Sequence, residues 1–351
     1  MNSSAASVVA IDVSSCLFSD TVRLLGVAIK SDIIVTFVAL KLGLFTGKGP
    51  NCVVFLHYSD REVPEDSFAS HSLAAKRLDL GRLLANLAPR KSDSHKGLYG
   101  HVLVVGGDHG FGGAVAMAAE AALSCGAGLV SVATRAEHVP AVLARTPEAM
   151  AHAVANRHEL DALLANVSVV VIGPGLGQSP WSEQVLQVVL EHKHTLVLDA
   201  DALNILVAKQ WLGRLASRTG PVVVTPHPGE AARMLGQTTA QVQSDRLTAS
   251  RALQTLVGGI VVLKGAGSLV SSERGVGLSD YGNPGMASGG MGDVLSGVLG
   301  ALLAQLSDPV FATELGVCLH GQAADQAAAE LGLRGLRATQ LMPYLQEYLG
   351  G

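Results

Sequence analysis

The chain has 351 residues with 40 glycines, only 15% charged and 4% aromatic residues, and a net charge of −4. Glycine stands at roughly 11% against a usual ~7%, and charge lies well below the usual ~25%. With 48% hydrophobic residues the chain can bury a sizeable core, which excludes an intrinsically disordered protein; no G-X-Y period marks a collagen. A pI near 6.3 offers no basic field to a nucleic-acid backbone, and so few aromatics make no single-strand stacking platform.

At about 150 residues per domain the length predicts two domains or one large one. Cys16, Cys52, Cys125 and Cys318 lack CxxC spacing, so neither a zinc knuckle nor a disulfide framework is expected, and a reduced, cytoplasmic setting fits. The histidines form no HExxH or comparable set. The first residues lack the basic n-region of a signal peptide. The apolar run Ile33 to Phe45 is interrupted by Lys41 and falls short of the ~20 residues of a membrane span.

In chain order, residues 1–60 hold three β-type runs: Val8–Val13, Ile33–Phe37 and Val53–His57. Three strands without full crossover helices cannot bury both faces of a parallel sheet alone, so this part reads as an appendage or fragment. Residues 61–94 are more polar, include one short helix over Leu80–Ala88, and read as a linker. From residue 95 strands and helices alternate. HVLVVGG, LVSVAT, VSVVVIGPG, TLVLDAD, PVVVTPH and GIVVLKG are strands. Helices are expected over Gly112–Cys125, to about Arg145, over Trp181–His192, from Ala202, over Arg233–Leu256, and over Gly292–Gln305, Val310–Leu331 and Ala338–Tyr348. This predicts an α/β fold, with a mainly parallel sheet covered by helices on both faces.

The glycines gather where strands end: GGDHGFGG (106–113), GPGLG (173–177), PHPGE (226–230), KGAGS (264–268) and GNPGMASGGMGD (282–293). Ligands of open α/β sheets bind outside the carboxyl ends of the strands, so five such loops describe one polar cleft. The last is the most informative. Gly289, Gly290 and Gly292 let backbone N–H groups converge before a helix N-terminus, a setting for a phosphate or a developing anion. Asp293 at its mouth suits a general base towards a hydroxyl; the plainer alternative is a helix N-terminal acid.

Lys264, Gly265, Ala266, Gly267 and Ser268 suit a nucleotide phosphate through one cation and several N–H and hydroxyl donors, though the same loop would also serve as a simple turn. It is not a Walker A loop, and neither is LFTGKGP (44–50). GGDHGFGG lacks GxGxxG spacing. Asp199 and Asp201 end a strand: one could orient a hydrated Mg²⁺ or a ribose hydroxyl, the other could cap the next helix. His227, between two prolines, is either ligand-facing or core. His95 and Lys96 either reach substrate phosphates or decorate a linker end.

Together, HKGxxG, GPGLG, TPHPGE, KGAGS and the segment Asn283–Gly297 resemble, in order, the dehydratase domain of NAD(P)H-hydrate repair enzymes, a branch of the ribokinase-like superfamily. The resemblance covers some 255 residues, taken as 95–351. It implies a ribokinase-like fold and an ADP- or ATP-dependent lyase, with Mg²⁺, acting on the S epimer of hydrated NADH or NADPH. On the matching positions, Asp293 takes the proton from the substrate hydroxyl, and the N–H groups of Gly290–Gly292 stabilise the transferred phosphoryl group. Lys264–Ser268 and Gly292 hold the nucleotide, while Ala114, Gly177, His227 and Asp293 line the substrate site. The segment TPHPGEAARML looks bacterial, which favours ADP. Residues 1–60 resemble the last portion of the companion epimerase domain, a partial Rossmann-like α/β segment. There Ser14 and Cys16 replace a proline and a glycine, and the domain's first half has no counterpart. No epimerase activity is expected from this chain alone. Alanine-rich helices and sparse charge favour a homo-oligomer, a tetramer being one form. The rivals are a ribokinase-like small-molecule kinase acting on an alcohol, and a non-catalytic nucleotide-binding scaffold.

Overall fold

The computed structural model describes residues 2–3, 5–21, 23, 25–64 and 73–350. β1 (Val9–Ile11), β2 (Ser31–Phe37) and β3 (Val53–Ser59) form a small parallel sheet in that order. One face buries Ile34 with Leu17, Leu44 and Cys52. The other carries the paired row Val9, Ile33 and Phe55, of which Phe55 is 68% exposed. Three strands therefore leave a face uncovered, as the sequence suggested. Cys16 holds φ of +69°, the left-handed region that glycine occupies without strain, so the side chain at this turn sits where glycine fits better.

The larger body is a ten-stranded sheet built from β4 (Lys76–Arg77), β5 (His101–Val105), β6 (Leu129–Thr134), β7 (Met150–Ala153), β8 (Val169–Ile172), β9 (Thr195–Leu198), β10 (Val222–Val224), β11 (Ile260–Leu263), β12 (Ser268–Ser272) and β13 (Gly275–Ser279). Its order is β4-β13-β12-β11-β10-β9-β8-β5-β6-β7. Every pairing is parallel except those of β12, which runs against both neighbours. Part of the stretch that reads as a linker thus belongs to this body: β4 pairs with β13, and α1 (Leu80–Ala85) buries Leu80 in the main core.

The helices are α2 (Gly112–Ser124), α3 (Val139–Arg145), α4 (Arg157–Leu164), α5 (Pro180–Glu191), α6 (Asp201–Ala208), α7 (Gly213–Ala216), α8 (Pro228–Leu235), α9 (Thr239–Ser244), α10 (Arg246–Val257), α11 (Met291–Gln305), α12 (Pro309–Leu331) and α13 (Met342–Leu349). Alternate strand residues point to opposite faces, so β5 sends Val102 and Val104 into a core with α2, α11 and α12. Leu103 and Val105 enter a second core with α5, α6 and α10. Helices on both faces satisfy strands that are apolar on both sides. No helix among the described residues is long and apolar enough to cross a membrane.

The expected single helix over Arg233–Leu256 is three. Gly236 takes a left-handed φ of +64° and ends α8; Thr238 caps α9 and Asp245 caps α10 through their side chains, which stops one helix and starts the next. Strand β7 and helix α4 were not anticipated, nor was the β12–β13 hairpin, whose serine-rich strands lack a clear alternation.

Candidate functional site

Chain order runs β5, β6, β7 towards one edge and then, from β8, towards the other. The order reverses between β5 and β8, and such a switch point opens a crevice at the strands' carboxyl ends. The loops after these two strands are bonded to each other there: the Gly107 N–H donates to the Pro174 carbonyl (3.0 Å) and the Asp108 N–H to that of Gly175 (2.8 Å). Gly177, with φ of +65°, faces the Asp108 carboxylate, and Ala114 lies against Gly175 at the start of α2. Gly177 and Ala114 therefore share the switch-point crevice.

Along the same edge follow the ends of β9, β10 and β11, bearing Asp199, His227 and Lys264. Four strand spacings of about 4.8 Å separate β5 from β11, giving a ledge of roughly 19 Å. Near its β11 end, Lys264 Nζ donates to Asp199 Oδ1 (2.6 Å), and Ser296 Oγ of α11 donates to Asp199 Oδ2 (3.0 Å). Asp199 is buried; the Lys264 side chain keeps 20% exposure. Burial opposes the charge on Lys264, yet Asp199, Glu230 and Asp293 outweigh it and hold the ammonium above its ordinary pKa. A fixed cation at the end of β11 is the result.

The glycine-rich loop closes over this pair. Gly290 adopts φ of +90° as the residue before α11, and a side-chain carbon at Gly292 would lie 3.3 Å from Asp199 Oδ2 and 3.4 Å from Lys264 Nζ. The first-turn N–H groups of α11 have no intrahelical acceptor and carry the positive end of the helix dipole. Asn283 anchors the start of the loop by donating to Asp325 Oδ1 (2.8 Å) on α12. Asp293, in the first turn, is pushed up to about 7 by burial and by the like charge of Asp199, with Lys264 acting against the rise. A carboxyl group with that pKa can accept a proton near neutral pH. We expect log(kcat/KM) to fall by about one unit per pH unit below about 7, with a plateau above; a profile flat from pH 5 to 8 would exclude Asp293 as the base.

Within residues 264–268, Gly265 and Ala266 are exposed at the edge while Gly267 is buried. The Ser268 hydroxyl donates to the Gly265 carbonyl (3.1 Å) and so braces the turn. His227 has a double character. Its Nδ1 accepts from the Gly229 N–H (2.9 Å), capping α8, while Nε2 lies 3.2 Å from Glu230 Oε1 and half the side chain stays exposed. Accepting at Nδ1 requires a neutral ring; burial, then Lys264 and Arg233, lower its pKa. Asp201 accepts from Gln178 (3.0 Å) and Asn204 (3.0 Å), so of the two aspartates only Asp199 faces the Lys264 cluster. His95 and Lys96 precede β5 and lie at the amino edge, a strand's length from the glycine loops, so the reading in which they reach substrate phosphates is set aside.

His320 joins the cluster unannounced by any motif; Ser296 and Glu230, inside the Asn283–Gly297 and PHPGE segments, join it without having been singled out, and Asp199 is the one of the two strand-end aspartates that does so. Glu230 is buried, its pKa raised by that burial, and it accepts from the His227 N–H (2.7 Å). His320 of α12 is buried, and burial with Lys264 lowers it to about 4. Its Nε2 has no hydrogen-bond partner among the described residues.

The NAD(P)H-hydrate dehydratase family matches residues 102–347. The chain belongs to that family. A bifunctional NAD(P)H-hydrate repair enzyme of Coxiella burnetii is 46% identical over 340 residues, covering 97% of this chain and 68% of the relative; the chain thus spans about two thirds of that relative. An ADP-dependent (S)-NAD(P)H-hydrate dehydratase of Neisseria meningitidis is 42% identical over 264 residues, 72% of this chain and 86% of the relative. The solved ADP/ATP-dependent NAD(P)H-hydrate dehydratase of Bacillus subtilis, co-crystallised with ATP and Mg²⁺, superposes with a TM-score of 0.71 at 30% identity, covering 79% of this chain and 98% of that one. The ribokinase-like fold expected from the motifs is the fold observed.

Proposed function

We propose that this member of the dehydratase family removes water, at the expense of ADP or ATP, from the S epimer of hydrated NADH or NADPH. The observation that carries the reading is the convergence of Asp293, the Asp199–Lys264 pair and the α11 N-terminus on one ledge. That ledge continues to the switch-point crevice at Ala114 and Gly177. Asp293 takes the proton of the substrate hydroxyl, whose oxygen attacks the terminal phosphorus of the nucleotide as the phosphoanhydride bond breaks. Phosphoryl transfer depends mainly on positioning and charge stabilisation, which the Gly290–Gly292 amides and Lys264 supply. The hydroxyl oxygen then leaves carbon as inorganic phosphate, a proton is lost from the neighbouring ring carbon, and the reduced nicotinamide is restored. ADP yields AMP, and ATP yields ADP.

In this reading Lys264–Ser268 and Gly292 hold the nucleotide, while Ala114, Gly177, His227 and Asp293 line the substrate site. Mg²⁺ would offset charge on the nucleotide phosphates; among the described residues no group of three His, Cys, Asp or Glu side chains gathers that could hold it. No step is assigned to it. Residues 1–60 correspond to the last portion of an epimerase-type domain, 61–94 connect and lend β4 and α1 to the larger body, and 95–351 form the dehydratase domain. We assign the working form to a cytoplasmic homo-oligomer, with ADP favoured over ATP.

The test incubates the protein with chemically hydrated NADH, Mg²⁺ and either nucleotide while following nicotinamide absorbance and phosphate release. Recovery of absorbance with one phosphate released per NADH is expected. A stable phosphoester with no phosphate release would instead favour an alcohol kinase, and no turnover with either nucleotide would sink the reading.

A further inference from the structure

The LFTGKGP segment (44–50) carries no phosphate-loop spacing, yet it is built into the larger body. Thr46 is 1% exposed. Its hydroxyl lies 3.0 Å from the carbonyls of both Ala266 and Gly267, and the Gly47 N–H donates to the Ala266 carbonyl (2.8 Å). Gly267 meets this turn so closely that a side-chain carbon would sit 2.1 Å from the Phe45 carbonyl oxygen. Phe45 packs against both the small sheet's core and the second core of the larger body.

Behind the turn lies Arg246, the first residue of α10, also 1% exposed. Its Nε donates to Thr46 Oγ1 (2.8 Å). Its other nitrogens donate to the side chain of Gln243 (2.8 Å) and the carbonyls of Leu263 (3.1 Å), Lys264 (3.3 Å) and Gly267 (3.3 Å). No carboxylate among the described residues pairs with it. A buried guanidinium without a counter-charge depends on every acceptor around it, and three of these five, the carbonyls of Leu263, Lys264 and Gly267, belong to the end of β11 and the loop after it.

We propose that Thr46 is a positioning residue for the nucleotide, the Phe45–Gly47 turn and Arg246 together clamping residues 264–268 in the shape that receives a phosphate. The clamp rests on the reading of that loop as the nucleotide site. It gives the small N-terminal sheet a task in the dehydration that needs no epimerase chemistry. Removing the Thr46 hydroxyl leaves Arg246 Nε unpaired in the interior, a costly state. The guanidinium then draws on the loop carbonyls and shifts Gly265 and Ala266, which the ligand would meet.

The full chain and its Thr46→Val and Thr46→Ser variants are compared by calorimetric titration with ADP and with ATP, and by steady-state kinetics. Thr46→Val keeps the shape and loses the hydroxyl, so nucleotide Kd and KM should rise about tenfold with kcat at saturation nearly unchanged. Thr46→Ser restores the hydroxyl and should restore affinity. A folded Thr46→Val protein with wild-type Kd, or with lowered kcat at an unaltered KM, would overturn the clamp. A second measurement needs no variant: binding at 264–268 must, by reciprocity, stabilise the turn that holds it. Added ADP should slow hydrogen exchange at the amides of residues 45–47 in the wild-type chain, and unchanged exchange there overturns the proposal even if Thr46→Val does not fold. A wild type that binds neither nucleotide overturns the nucleotide reading and the clamp with it; a wild type that binds while Thr46→Val binds equally well overturns the clamp alone.

Discussion

Asp293→Asn is expected to lower kcat/KM for hydrated NADH by about 10²–10⁴-fold and, at the same time, to make the folded protein more stable above neutral pH. The two effects share one cause. Burial and the like charge of Asp199 push the Asp293 carboxyl up to about 7, which makes it a competent base and a poor neighbour. A carboxyl whose folded pKa exceeds its unfolded value costs stability as pH rises from the ordinary carboxylate range through the folded value. Asparagine cannot ionise, so it escapes that cost. At pH 8 the gain is on the order of 2 kcal/mol, discounted for the solvent that reaches this part-buried side chain. Near pH 4 both proteins carry a neutral group and the gain disappears. Chemical denaturation at pH 4.5 and 8, run beside the kinetics, checks both parts. Loss of activity with loss of stability at both pH values would mean that Asp293 holds the loop rather than the proton.

The carboxyl-edge loops were legible because the backbone there needs what glycine provides. Gly290 at φ +90° and Gly177 at φ +65° are turns that most side chains resist, so the clusters mark where strands end and ligands approach. Glycine elsewhere had another use. A side-chain carbon at Gly297, inside α11, would lie 2.1 Å from the Ala118 carbonyl oxygen of α2, so this glycine sets how closely two core helices pack. Composition cannot separate the two uses; only the fold does. The Asp199–Lys264 pair was hidden for a different reason. Its partners stand 65 residues apart and meet because β9 and β11 flank β10, an adjacency that follows from sheet order. Strand ends in LDAD and LKG placed both residues on one edge, but nothing local joins them. His320 was hidden more deeply, a single histidine within helix α12 with no glycine loop or strand end beside it in the sequence.

Lys264 is the second position where a single change should have a large and divided effect. Its ammonium is the counter-charge of buried Asp199 and, in the proposed function, the cation of the nucleotide loop. Lys264→Met breaks the pair and leaves Asp199 uncompensated beside Asp293 and Glu230. A loss of about 3 kcal/mol follows, at the low end for such pairs because the lysine keeps some exposure. The double variant Lys264→Met with Asp199→Asn removes the stranded charge, so stability should return by most of that amount in urea denaturation. Nucleotide affinity should not return, since the charge that met the phosphates is still missing. Asp293 supplies an internal check, because Lys264 restrains its upward displacement. In the Lys264→Met protein the acidic limb of the rate profile should move above its wild-type position, whereas removing Asp199's charge as well should bring it back down. If the double variant regained both stability and nucleotide affinity, Lys264 would be a structural partner of Asp199, and the nucleotide's charge would rest on the backbone amides of the glycine loops alone.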